Sequence, residues 1–178
     1  MRSILSFFGL SAETPAGQAG DTIRRIAGEL DRLDPERARY IASFAFVLSR
    51  VANADDEVSG DEVAAMERLV MERGGLPDAQ AALVVQMAKS QQILFGGTDD
   101  FLVTRELARE ASYEQKLQLV DCLFAVASAD RRIRTSEAEE IGRIARELRV
   151  EPSDLSRIRN QYRDFLASRQ ELDGPTGH

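Results

Sequence analysis

Sliding the chain 75 positions along itself, without a gap, lays residues 44–87 over 119–162 and repeats ten of forty-four residues. The identities include Leu48/Leu123, Val51/Val126, Ala52/Ala127, Ala54/Ala129, Asp55/Asp130, Glu62/Glu137 and Pro77/Pro152. Unrelated sequences of this composition would agree at roughly 6–8% of positions, so the chain reads as a duplicated unit. Apolar character persists where identity does not, with Val58 over Ile133, Met66 over Ile141 and Leu69 over Ile144. Each copy has more apolar surface than it can bury alone. The two copies are therefore expected to share one core.

Within each copy the period is helical. Asp34 as N-cap and Pro35 at the first helical position open a helix whose Ile41, Phe44, Ala45, Leu48, Val51 and Ala52 lie on one face. Phe46 and Val47 add apolar surface on other sides, which predicts a central helix covered over most of its circumference. A second helix is predicted from about Gly60 to Arg73, closed by Gly74-Gly75, and a third from Pro77 to about Leu94. A further helical segment, Asp99 to Ala111, lies within the stretch from about Ser90 to Tyr113 that joins the copies. Nowhere do apolar and polar residues alternate over a strand's length. The expected class is all-α, with about seven packed helices in two pseudo-equivalent repeats, halves about 35–90 and 113–165 of a domain spanning 21–168. Residues 1–20 read as an apolar N-terminal segment and a flexible linker, and 169–178 as a flexible tail. The run Ile4 to Leu10 is too short to span a bilayer, but can dock on the body, on a membrane surface or on a partner.

Composition narrows the chemistry. With 178 residues, 43% of them hydrophobic, the chain can build one substantial core. Thirty acidic against 23 basic residues give a net charge of -7, which repels phosphate backbones and argues against a nucleic-acid partner. One cysteine, Cys122, and one histidine, His178, exclude an intramolecular disulfide, a thiolate or imidazole zinc site and histidine-based triads. Cys122 reads as a small buried hydrophobe, and the arginine-rich run 131–134 as solvated charge. Arg68/Glu72 and Arg143/Glu147, four apart, read as exposed ion pairs. Asp121, aligned with Phe46, is expected at an exposed edge or in a partner contact. No base, nucleophile and oxyanion donor can be assembled from such an inventory, so no enzymatic activity and a cytoplasmic protein are expected.

Both copies carry one short pattern at the same place: Ala52-Asn53-Ala54-Asp55-Asp56-Glu57-Val58 with Glu62, and Ala127-Ser128-Ala129-Asp130-Arg131-Arg132-Ile133 with Glu137. An Asp ends a buried helix, a β-branched residue follows three later, and a Glu opens the next helix. This duplicated pattern resembles the tellurite-resistance TerB family and its uncharacterised bacterial relatives, whose motif is Ala-x-Ala-Asp-Gly-x-Ile/Val followed by an acid. The stretch Asp100 to Leu107 resembles the linking helix of those relatives. The family's Gly is replaced by Asp56 in the first copy and by Arg131 in the second. The resemblance, over residues 22–165, implies an all-α fold, a link to tellurite or general stress response, and a divalent-cation role for Asp55, Glu62, Asp130 and Glu137.

Two readings of these acids stand side by side. Asp55 faces the negative end of a helix macrodipole, and with Asp56, Glu57, Asp61 and Glu62 it places five carboxylates within eight residues, a donor set suited to Ca²⁺, Mg²⁺ or Mn²⁺. Alternatively, Ser59 and Glu62 form a capping box, Asp55 starts an Asx-turn, and the chain is a helical protein–protein interaction module without a functional ion site. At the second turn Arg131, Arg132 and Arg134 already supply cations, so Asp130 is expected to pair with an arginine. A protein partner is expected under either reading.

Overall fold

The computed structural model describes residues 17–52, 60–90, 94 and 100–166. Eight α-helices run through them: α1 (Gln18–Asp31), α2 (Pro35–Val51), α3 (Gly60–Glu72), α4 (Asp78–Lys89), α5 (Asp100–Glu110), α6 (Tyr113–Ala127), α7 (Thr135–Glu147) and α8 (Pro152–Gln161). A 3₁₀ turn, Arg163–Phe165, follows α8. Among the described residues there is no strand, and the extended pairing is a single parallel bridge between Ile133 and Leu166. The N-terminal apolar segment, the first acidic turn with Asp55 and Asp56, and the C-terminal tail lie outside the described residues.

The helix beyond the expected seven is α1. It starts at Gln18, inside the stretch read as linker, and Ile23, Ile26 and Leu30 give it a buried stripe at helical spacing. It packs on α2 and α4. The third expected helix is shorter than anticipated: α4 closes at Lys89, where the Ser90 N–H turns back to the carbonyls of Gln86 and Met87. Leu94 is buried nonetheless. α6 begins with a reciprocal box in which the Ser112 hydroxyl accepts the Gln115 N–H at 3.1 Å and the Gln115 amide oxygen accepts the Ser112 N–H at 2.9 Å.

α2 is the axis of the molecule. Its Ile41, Phe44, Ala45, Val47 and Leu48 are fully buried, and burial of each large apolar side chain stabilises by about 1.5–3 kcal/mol. It touches α1, α4, α5, α6 and α7, as its apolar circumference predicts. The bounds of α7 fall 75 positions after those of α3 at both ends. Packing, however, differs between the halves. α4 packs on both α2 and α3, whereas α8 packs on α6 and stands off from α7. α3 crosses to α6, and α7 crosses to α2.

Helix ends differ too. Past α3, Gly74 is jammed: a Cβ there would lie 2.5 Å from the Val70 carbonyl oxygen and 2.8 Å from Phe44 Cζ, and Gly75 takes a left-handed φ of +70°. α7 ends in a Schellman motif, with the Val150 N–H on the Ala145 carbonyl and the Arg149 N–H on the Arg146 carbonyl. Its left-handed position is Arg149, φ +60°.

Two side chains settle differently from each other. Cys122 is fully buried, and burial pushes its thiol up to about 12, as suits a packing residue rather than a nucleophile. Asp121 makes an internal contact instead of an exposed edge or partner contact. Its carboxylate accepts the Tyr162 hydroxyl at 2.6 Å and lies 3.6 Å from Arg73, and the Tyr162 ring stacks on Phe124.

Candidate functional site

The last turns of α2 and α6 and the first turns of α3 and α7 meet between the two halves around a groove of about 500 Å³. One wall carries Asp61 and Glu62 from α3. The other carries Asp130 and Glu137 from the second turn, and Met66, Leu69 and Val126 supply an apolar floor. Four of the seven acids singled out in the sequence, Asp61, Glu62, Asp130 and Glu137, therefore line one cavity. Asp55 and Asp56 belong to the undescribed turn.

Local hydrogen bonding determines what the second-turn acids can do. Asp130 Oδ1 accepts the backbone N–H of Arg132 at 3.2 Å, an Asx-turn rather than the expected arginine ion pair. Glu137 Oε2 accepts the backbone N–H of Arg134 at 2.7 Å, satisfying a donor at the start of α7. Both carboxylates thus have structural work. Arg131 adopts φ +67°, the left-handed conformation that the family's Gly favours, so the turn is kept despite the substitution. Ile133 then inserts fully buried, and its N–H reaches the Phe165 carbonyl at 2.7 Å. Among the described residues no three His, Cys, Asp or Glu side chains form a group able to hold a metal.

Beside this groove lies an ionic centre that sequence reading did not find. Arg50, in the last turn of α2, has a side chain only 7% exposed. Its Nη2 lies 2.6 Å from Glu140 and its Nη1 2.8 Å from Glu147, both on α7. The fully buried Thr104 of α5 donates to the same Glu147 oxygen at 2.6 Å, and Arg143 holds the other Glu140 oxygen at 2.8 Å. Glu147 therefore pairs with Arg50, and Arg143 with Glu140, rather than with each other. Burial pushes the Glu147 carboxyl up, but hydrogen bonds from Arg50 and Thr104 and the charges of Arg50 and Arg143 outweigh it and hold it below the ordinary glutamate value. For Arg50, burial works against the charge, and the hydrogen bonds that it donates to Glu147 and Glu140, with their negative charges, more than restore it. The centre clamps α2, α5 and α7 together. Its partners lie 54 to 97 positions from Arg50, beyond the reach of any local pattern.

An all-α body in which the acid-bearing starts of α3 and α7 line one groove is the class that this geometry defines. The family model described as tellurite resistance protein TerB matches residues 40–160, from α2 to α8, and the chain belongs to that family. No curated protein and no solved structure matches it. No described helix is long and apolar enough to cross a membrane.

Proposed function

We propose that this TerB-family chain is a non-catalytic, cytoplasmic protein of the tellurite or general stress response, in which a divalent cation, Ca²⁺, Mg²⁺ or Mn²⁺, binds at the first acidic turn. The supporting observation is the asymmetry between the two turns. Asp130 and Glu137 are engaged in turn and cap hydrogen bonds and surrounded by arginines, whereas the sequence of the first turn carries Asp55, Asp56, Glu57, Asp61 and Glu62 without a basic residue between them. Crowded carboxylates at a helix C-terminus repel one another, and a hard cation with oxygen ligands offsets that repulsion. The same reading takes the halves as repeats of one ancestral unit, supported by the ten identities and the coincident bounds of α3 and α7. A protein partner for the groove is the second reading, favoured by the half-buried Met66, Leu69 and Val126 on its floor. Calorimetry separates the two. Binding of Ca²⁺, Mg²⁺ or Mn²⁺ is expected in the parent, absent in Asp55→Ala and retained in Asp130→Ala. Equal losses in both variants, or no binding by the parent, would leave the interaction module as the account.

A further inference from the structure

Where α3 and α4 close on each other, α7 and α8 stand apart and leave a groove of about 580 Å³. The half-buried Leu155 and Leu166 form its apolar floor above the fully buried Ile133, and Arg143, Arg146 and Arg159 line its edges with Glu139. A Cβ at Gly142 would meet only the Arg146 guanidinium, at an ordinary contact distance of 3.7 Å. Arg143 is held by Glu140. Arg146 and Arg159 are exposed and form no ion pair among the described residues. The local charge is opposite to that of the molecule: residues 131–163 hold nine arginines and six acids in a chain of net charge -7. An acidic ligand is repelled by the remainder of the surface and drawn to this face.

We propose that the α7–α8 groove docks an acidic segment of a partner protein that also carries large apolar side chains. The apolar floor and arginine edges are complementary to both features, and arginine bound to carboxylates beside buried apolar contacts is a combination that concentrates binding energy. A polyphosphate chain would leave the floor unused and meet the acidic remainder of the molecule. The site uses none of the residues assigned to the cation, so it stands or falls separately.

The test is fluorescence anisotropy in chelator with a short labelled peptide built of glutamate and leucine, against the full chain. Saturable binding that weakens with salt is expected, with a loss of about tenfold or more in Arg146→Glu/Arg159→Glu. The same charge change on α1, Arg24→Glu/Arg32→Glu, is expected to leave binding within about twofold of the parent. Circular dichroism confirms that the variants stay folded. No saturable binding by the parent, equal losses in both double variants, or tighter binding of a lysine–leucine peptide or a short oligonucleotide would overturn the proposal. So would a parent dimer that Arg146→Glu/Arg159→Glu dissociates, which gives the groove to a second copy. A gain of tenfold or more on truncation after Leu166 gives it to the chain's own tail and likewise overturns the proposal.

Discussion

The two halves share a pattern of helix boundaries and diverge in how charge is handled. In the first half, Arg50 sends its guanidinium into the interior to two glutamates of the second half; its counterpart by position is Ala125, which carries no charge. In the second half the polar insertion lies four residues earlier in the pattern, at Asp121, and is answered by Tyr162 and Arg73. The apolar spacing fixes where helices start and stop, because burial is periodic and local. Charged side chains decide which helices meet, because a desolvated charge must find a partner wherever one exists.

Removing Arg50 is the strongest way to break that contrast. Arg50→Met leaves Glu140 and Glu147 facing each other with little water, and a loss of about 3–5 kcal/mol is expected in denaturant unfolding. Tyr162→Phe removes one of two partners of the half-buried Asp121 and is expected to cost about 1 kcal/mol. If the two variants lose equal stability, the buried centre is not the special feature of the first half. The pH dependence sharpens the point. Because the folded Glu147 carboxyl is depressed below 4.5, its contribution is present above that value and lost as pH falls through the folded one. An acid limb that Arg50→Met does not flatten would contradict the assignment.

Backbone positions give the next largest effects. Gly74→Ala places a methyl against the Val70 carbonyl and Phe44, and a loss of about 2 kcal/mol is expected. Gly142→Ala, in the open groove of the other half, meets no backbone and is expected to add about 0.5–1 kcal/mol through helix propensity. Thermal or denaturant melts of the pair check both signs. The smallest effect concerns the second turn: Arg131→Gly relieves a left-handed non-glycine residue and is expected to stabilise by about 1 kcal/mol or less. A destabilised Arg131→Gly protein would mean that the arginine side chain holds the turn.

Much of this fold was legible because its signals are local. Asp34-Pro35 marks the start of α2, Gly74-Gly75 follows the end of α3, and the buried Val47 and Cys122 occupy aligned core positions. No separate helix was assigned before Asp34, although Ile23, Ile26 and Leu30, inside the expected all-α domain, carry the period of α1. Its start at Gln18 was hidden because the small residues there read as linker. The end of α4 was misplaced because Leu94 is apolar and buried without belonging to that helix. In the candidate site, the recurring pattern marks Glu62, Asp130 and Glu137, but neither their convergence on one groove nor their bonding is written in it. Glu137 caps Arg134, a partner three residues away that the sequence permits without requiring. The Glu147 assignment failed for a further reason: Arg143 lies four residues before it, yet the less solvated Arg50 reaches it across 97 positions.

The claim that matters most is that the first acidic turn, unlike the second, holds a cation. Melting curves of the parent and of Asp55→Asn, in chelator and then in millimolar Ca²⁺, Mg²⁺ and Mn²⁺ at matched ionic strength, test it directly. A ligand that binds only the native state stabilises it by RT ln(1 + [L]/Kd), about 2.7 kcal/mol at a hundredfold excess, which raises Tm by several degrees. The account predicts that rise in the parent, none in Asp55→Asn, and a slightly higher Tm for Asp55→Asn in chelator because one repelling carboxylate is gone. Curves for parent and variant that coincide in every condition would contradict it.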